Sequence, residues 1–299
     1  MGRRPTFAAV IGHADDPDLL ERCIAHHLAI GVDHVFVSLN GGDAASARVA
    51  REFAPSGRVR AARPETFAPD PFHYFTAAKD VVAAWAAPDW LLFLDSDELW
   101  TPAGGRIQNT AGLDELDLVA APRFNVPPLR EPDGSLREPE LADRAATLVI
   151  GARTVMDGDY LLRNPGTPWI VVEDARKVMV RPELVKEVGR GAHDVVTRGP
   201  APRWAWPDDL LILHLPFTTE ARFRRKVEAI RARLATYGTR FGPTQAWHWR
   251  RWLALDYAGQ LGAEFERQVF AAADVPELLA RGVLTTPARL FARDGAACG

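Results

Sequence analysis

The stretch DWLLFLDSDELW, Asp89 to Trp100, places Asp95, Asp97 and Glu98 within four positions, directly after an apolar run. Side chains alternate along a strand, so a strand carried through this stretch sets Asp95 and Asp97 on one face. Two ionised carboxylates about 6 Å apart repel by roughly 2–3 kcal/mol at an effective dielectric near 20. A divalent cation offsets that repulsion, because hard cations take carboxylate oxygens and keep further positions open for phosphate. A diphosphate leaving group needs such neutralisation when its bond to carbon breaks. His214, in the middle of the apolar run LLILHLPF (Leu210–Phe217), is a candidate third ligand whose other ring nitrogen would be held by an acceptor. The competing readings are a turn capped by Ser96 or Asp97 with Glu98 facing water, and a hydrogen-bonded core histidine at 214.

The elements that must position these residues alternate. TFAAVIG (Thr6–Gly12) reads as a buried strand, and PDLLERCIAHHLAIG as a helix stopped at Gly31. HVFVSLN (His34–Asn40) is a second strand, DAASARVAREFA a second helix and RVRAAR (Arg58–Arg63) a third strand. HYFTAAKDVVAAWAA (His73–Ala87) is helical, and DWLLFLDSD is the next strand. This order predicts βαβ units and a mostly parallel sheet. In such sheets the ligand crevice lies outside the carboxyl ends of the strands, where the acidic triplet falls. Leu116–Val126, ATLVIGAR and WIVVEDARKVMVRP add strand, and Arg130–Asp143 is polar and rich in turn formers, a candidate acceptor lid. After Thr218 the pattern is helical, with Phe223, Val227, Ile230, Leu234 and Tyr237 on one face.

A net charge of −3 gives no footprint for nucleic acid, and Cys23 and Cys298 make no metal or disulfide framework. No apolar run approaches the roughly 20 residues of a membrane span, and MGRRPTFAAVIGH is read as a first strand rather than a leader. A cytoplasmic protein with neither membrane nor nucleic acid as partner is expected.

Four stretches together resemble the GT-A glycosyltransferases, in particular a family-2-like branch with features shared with family 92. They are LLERCIAHHLAIGVDHVFVSLNGGD, DWLLFLDSDELW, ARKVMVRPELVKEVGRGAH and LHLPFTTEARFRRKV. The resemblance implies a GT-A α/β catalytic domain over residues 1–217 and a helical extension over 218–299. It implies that Asp95, Asp97 and His214 hold Mn²⁺ or Mg²⁺ against a nucleotide-diphosphate sugar, with UDP-sugar the first expectation. Ile11, His13, Asn40, His73, Lys79 and Ser96 would line the donor side, and Lys226 would offer a cation to the leaving phosphate. The chain departs from the pattern in Gly12-His13-Ala14-Asp15-Asp16 after the first strand, and in Leu39 where an aspartate commonly reads the base. Those departures leave the base open.

An inverting enzyme of this kind needs a carboxylate to take the acceptor's proton. Asp174 and Glu173, after WIVV, are the first candidates; Asp194, Asp208 and Asp209 are the others. Trp100, Trp169, Trp204 and Trp206 are candidates to cover sugar C–H faces. Trp247, Trp249 and Trp252 are assigned to the core. The sequence supports a metal-dependent glycosyltransferase acting on a small soluble or carrier-bound acceptor. A non-catalytic nucleotide-sugar-binding protein and a metal-dependent nucleotidyl- or phosphotransferase are the alternatives.

Overall fold

The computed structural model describes residues 3–14, 16–41, 43–137, 148–152, 163–164, 166–172, 175–242 and 246–293. In chain order the first half runs β1 (Phe7–His13), α1 (Pro17–Ala29), β2 (His34–Leu39), α2 (Ala44–Phe53), β3 (Val59–Ala62), α3 (Tyr74–Ala86), β4 (Trp90–Asp95) and β5 (Glu98–Pro102). Then come β6 (Leu118–Ala121), β7 (Arg123–Asn125), β8 (Leu129–Arg130), β9 (Leu136–Arg137), β10 (Ile150–Gly151), β11 (Lys177–Val180), β12 (Val185–Val188) and β13 (Val195–Thr197). The chain closes with β14 (Trp204–Ala205), β15 (Leu210–His214), α4 (Glu220–Tyr237), α5 (Trp247–Tyr257), α6 (Leu261–Glu266), β16 (Phe270–Ala271), α7 (Val275–Ala280), β17 (Leu284–Thr285) and α8 (Pro287–Arg293).

Two compact units result: Met1–Arg123 with Ala175–Leu213, and Phe124–Asp174 with His214–Gly299. The first is built on a seven-stranded sheet in the order β14-β6-β11-β4-β1-β2-β3. β1 runs parallel to β2 and β4, β2 parallel to β3, and β14 parallel to β6. β11 alone is reversed, antiparallel to both β4 and β6. The expected α/β architecture with a mostly parallel central sheet is therefore present. β1 is buried at all seven positions because it is a central strand covered on both faces, which is why FAAVIGH does not alternate with polar residues. One cover is α3, whose Tyr74, Phe75, Ala78 and Val82 pack with Ala8, Val10, Leu91 and Phe93. Helix α1 starts at Asp16, which accepts from Leu19 N, with Pro17 in its first turn, and stops before Gly31 at φ +98°.

Two strand expectations are corrected. Leu116–Val126 is not one strand: it breaks at Pro122, which has no N–H to give a ladder, while its carbonyl accepts from Ile212 N at 2.8 Å. WIVV is not a strand either. Trp169–Val171 forms a short 3₁₀ turn entered from Pro168, and the next strand among the described residues is Lys177–Val180.

The second unit centres on aromatic packing. Phe223, Val227 and Ile230 form the buried face of α4, against Phe217, Trp252 and Phe265. Phe217, Phe223 and Trp252 meet edge to face with centroids 5.0–5.7 Å apart. In its described part, the polar segment after Leu129 is a short β8–β9 hairpin; its expected extent to Asp143 runs beyond the described residues. No helix among the described residues is long and apolar enough to cross a membrane.

Candidate functional site

In the first unit the carboxyl ends of β1 and β4 lie side by side, Gly12 opposite Asp95. Strand β4 ends at Asp95, and Ser96 and Asp97 form the tight turn into β5. The strand alternation that would set both aspartates on one face therefore stops one residue too early, and the turn decides where Asp97 lies. Ser96 N donates to Gly12 O at 3.1 Å, tying this turn to the end of β1. The Asp95 side chain is 43% exposed, so it is reachable from solvent.

Glu98 does not face water. It is fully buried and accepts from Asp95 N at 2.8 Å, from Lys177 at 3.0 Å and from Arg123. Lys177, also fully buried, donates at 2.8 Å to Asp95 Oδ2. Burial works to lower its pKa and Arg123 adds to that, yet Asp95 and Glu98 outweigh both and hold Lys177 above the ordinary lysine value. Lys177 and Arg123 thus balance Asp95 and Glu98.

His13 closes the other side. Its Nδ1 bonds to Ser96 Oγ at 2.8 Å and its Nε2 to Ser46 Oγ at 2.7 Å. Ser46 donates in turn to Asp43, the N-cap of α2. The imidazole is buried, and desolvation takes its pKa down to about 4 against the opposing pull of Asp43 and Asp97. His13 is a neutral brace between the Asp95–Glu98 turn and α2. Asn40 N donates to His13 O at 2.7 Å, so the end of β2 is held to the same point. Gly12 is required sterically: a Cβ there would lie 2.1 Å from Tyr74 Oη and 3.2 Å from Asp95 Oδ1. Tyr74 and Asp95 converge on the space that this glycine leaves.

The histidine pair of α1 supports β5 from behind. His26 Nε2 donates to Trp100 O at 2.6 Å. His27 Nδ1 donates to Cys23 O at 2.8 Å, which leaves Nε2 to accept from Trp100 N at 3.4 Å. Cys23 lies beneath the acids; burial first, then Glu98, Asp97 and Asp95, push its thiol pKa well up and keep it protonated.

In the second unit His214 is buried, and its Nδ1 lies 2.8 Å from Asn125 Oδ1. Asn125 Nδ2 points at the carbonyls of Trp169, Ile170 and Val172, at 3.2–3.4 Å. The amide orientation is thereby set, so Oδ1 accepts and Nδ1 donates. This is the acceptor expected on the second nitrogen, and it suits a ligand and a core histidine alike. Gln268 holds the same turn from its other side, accepting from Ile170 N at 3.1 Å.

The remaining expectations separate. Ile11 is a fully buried core position of β1, so only its backbone is near the strand ends. Lys79 is buried and its ammonium pairs with Asp80. His73 closes a 3₁₀ turn just before α3, edge-on to Phe72. Lys226 is partly buried on α4, one turn after the core residue Phe223. Glu173 and Asp174 lie outside the described residues. Asp194 and Asp208 are exposed, and Asp209 accepts from Ala111 N at 2.9 Å. Trp100 and Trp169 are corrected from sugar-facing to buried: Trp100 has no exposed surface, and Trp169 stacks on His248 at 4.6 Å. Trp204 and Trp206 are exposed, at 54% and 48%.

Lys177, Arg123, Asn125 and Tyr74 escaped the sequence reading. The signal for the first two was available: a cation set directly against an apolar run, in KVMV and in RFNV. Among the described residues no three His, Cys, Asp or Glu side chains gather as a metal-binding group. A cation at the strand ends would thus have the two carboxylates of Asp95 and Asp97 as its protein ligands in the first unit, a hard oxygen set that suits Mn²⁺ or Mg²⁺ completed by phosphate oxygens.

No protein-family model and no curated protein matches the chain. Among solved structures, it is similar to glucosyl-3-phosphoglycerate synthase from Mycobacterium tuberculosis, in complex with Mn²⁺, uridine diphosphate and glucosyl-3-phosphoglycerate. The identity is 16%, over 60% of this chain and 58% of that one, with a TM-score of 0.32. Residues 1–349 of S. aureus TarS match at 13% identity, over 75% of this chain and 65% of that one, with a TM-score of 0.34. Mannose-1-phosphate geranyltransferase from Thermus thermophilus matches at 12% identity, over 92% and 70%, with a TM-score of 0.27. The chain spans less than two thirds of the length of the first two.

Proposed function

We propose that the protein is a metal-dependent glycosyltransferase that moves a sugar from a nucleotide-diphosphate sugar, UDP-sugar in the first instance, to a small soluble or carrier-bound acceptor. The observation that carries this reading is Asp95 at the carboxyl end of β4, beside the end of β1, with Asp97 in the following turn, which His13 and Glu98 brace. Open α/β sheets bind their ligands at that end. Asp95 and Asp97 would hold Mn²⁺ or Mg²⁺ there, and when bound the ion would supply charge neutralisation to the departing diphosphate.

The chain's own residues do the rest. Gly12 leaves the space in which Tyr74 and Asp95 converge, and Asn40 and Ser96 border the strand ends where the nucleoside would sit. His214 is proposed as a metal or diphosphate contact; that role rests on the resemblance and is tested separately by His214→Ala. In an inverting course the acceptor oxygen bonds to the anomeric carbon as the carbon–diphosphate bond breaks, and a carboxylate takes the acceptor's proton. Glu173 or Asp174 is the proposed carboxylate.

Thermal denaturation with a panel of nucleoside diphosphates and sugar nucleotides, with Mn²⁺ or with EDTA, tests the reading. Ligand at about a hundredfold over Kd adds about 2.7 kcal/mol, a rise of several degrees. The rise is expected with Mn²⁺, and it should vanish with EDTA and in Asp97→Ala. Equal shifts with and without metal would remove the proposal.

A further inference from the structure

Lys177 is a charged residue in the middle of a sheet. It sits on β11, between β4 and β6, where Val178, Met179 and Val180 around it are apolar and buried. Breaking an ion pair in such a place is costly, but replacing the whole set by apolar side chains is often neutral or stabilising. Fold stability alone is thus a weak reason for a lysine here. Its geometry offers another. The ammonium takes Asp95 Oδ2 at 2.8 Å and Glu98 Oε2 at 3.0 Å. Arg123 takes the other oxygen of Glu98, and Asp95 N takes Glu98 Oε2 as well. Every charge in this set has its counter-charge, and Asp95 has one carboxylate oxygen already committed.

We propose that Lys177 is a positioning residue that restricts Asp95 to one ligand oxygen and suppresses binding of a bare divalent cation until a nucleoside diphosphate brings it. The inference rests on the glycosyltransferase reading above and specifies how its metal is admitted. A bare cation entering beside Asp95 meets the Lys177 ammonium across a shared carboxylate, at short range, and because that ammonium is fully buried its repulsion is screened less than between two surface charges. The same cation carried by a diphosphate brings its own negative charge, which offsets that repulsion. Asp97 and the second oxygen of Asp95 are the proposed ligands of that complex. The device keeps the site from filling with metal in the absence of donor, and it holds Asp95 in one rotamer in both states.

The test is Mn²⁺ binding followed by the electron paramagnetic resonance of the free ion, with the metal alone and then with saturating UDP. The variant is the charge-balanced pair Lys177→Met with Glu98→Gln, whose amide oxygen keeps an acceptor for one of the two donors, Arg123 or Asp95 N. Circular dichroism checks its folding, and Lys177→Gln replaces it if it does not fold. Removing the ammonium should tighten metal-alone binding at least tenfold, with a difference under threefold once UDP is present. Lys177→Arg keeps the charge and should bind bare Mn²⁺ as weakly as the wild type. Equal metal-alone affinities in wild type and variant, with the wild type still binding Mn²⁺ in the presence of UDP, would overturn the inference and leave the functional reading standing. A wild type that binds no Mn²⁺ with or without UDP would overturn both.

Discussion

His214 Nδ1 donates to Asn125 Oδ1 at 2.8 Å. The partner amide spends its two hydrogens on the carbonyls of the Trp169–Val172 turn, so one side chain sets the tautomer of a histidine and the shape of a turn that ends directly before Glu173. Asn125→Asp separates the two duties. The carboxylate still accepts from His214 but has no hydrogen for the three carbonyls. A loss of about 2–4 kcal/mol in urea unfolding is expected, because a buried carboxylate would then face three carbonyl oxygens that lose their amide donor. A loss below about 0.5 kcal/mol would show that Asn125 does not hold the turn.

Gly12 and Tyr74 are coupled by space. Gly12→Ala puts a methyl 2.1 Å from the phenol oxygen and should cost about 1–3 kcal/mol. Tyr74→Phe removes that oxygen, after which the nearest Tyr74 atom is 3.1 Å away. The double variant should be more stable than the sum of the two single losses predicts, by about 1 kcal/mol or more in a double-mutant cycle. Strict additivity would contradict the close approach.

His13 makes stability depend on pH in a known direction. Its pKa is about 4 when folded and 6.5 as an ordinary histidine, so the unfolded chain binds the extra proton first. The full contribution, about 3 kcal/mol, is present above pH 6.5 and is lost as the pH falls toward 4. Between pH 7 and pH 5 the wild type should lose about 2 kcal/mol by this route, measured in metal-free urea titrations. His13→Gln, which can still bond to a serine, should flatten that part of the profile. An unchanged slope in the variant would assign the pH dependence elsewhere.

Glu98→Gln leaves Lys177 and Arg123 buried with Asp95 as the remaining counter-charge of the set. A loss of about 3–5 kcal/mol is expected, since one member of a buried ion network has been removed. Adding Lys177→Met restores the balance and should recover a large part of it. If the single variant is as stable as the wild type, the four charges do not act as one network.

Much of the frame was legible in the chain. The βα alternation, the buried first strand, the acidic exit of Trp90–Asp95 and the one-sided face of Glu220–Tyr237 all follow from periods of two or 3.6 and from capping residues. These are local properties, and a few adjacent residues suffice to impose them. The breaks at Pro122 and Pro168 were local too, and were passed over because apolar runs on either side suggested continuous strand.

What the tertiary structure decided is which polar groups are buried and what they meet. Glu98 reads as a surface acid until Lys177 and Arg123 arrive from strands 79 and 25 positions away. The sequence does not show what His214 meets; Asn125, 89 residues earlier in the chain, is the acceptor its Nδ1 finds. The direction of Asp97 passed from strand alternation to a two-residue turn. The physical reason is common to all three. The sequence by itself determined where carboxylates and imidazoles sit along strands, because backbone periodicity is short-ranged; their charge state, proton position and reach depend on desolvation and on counter-charges that only the folded chain brings together.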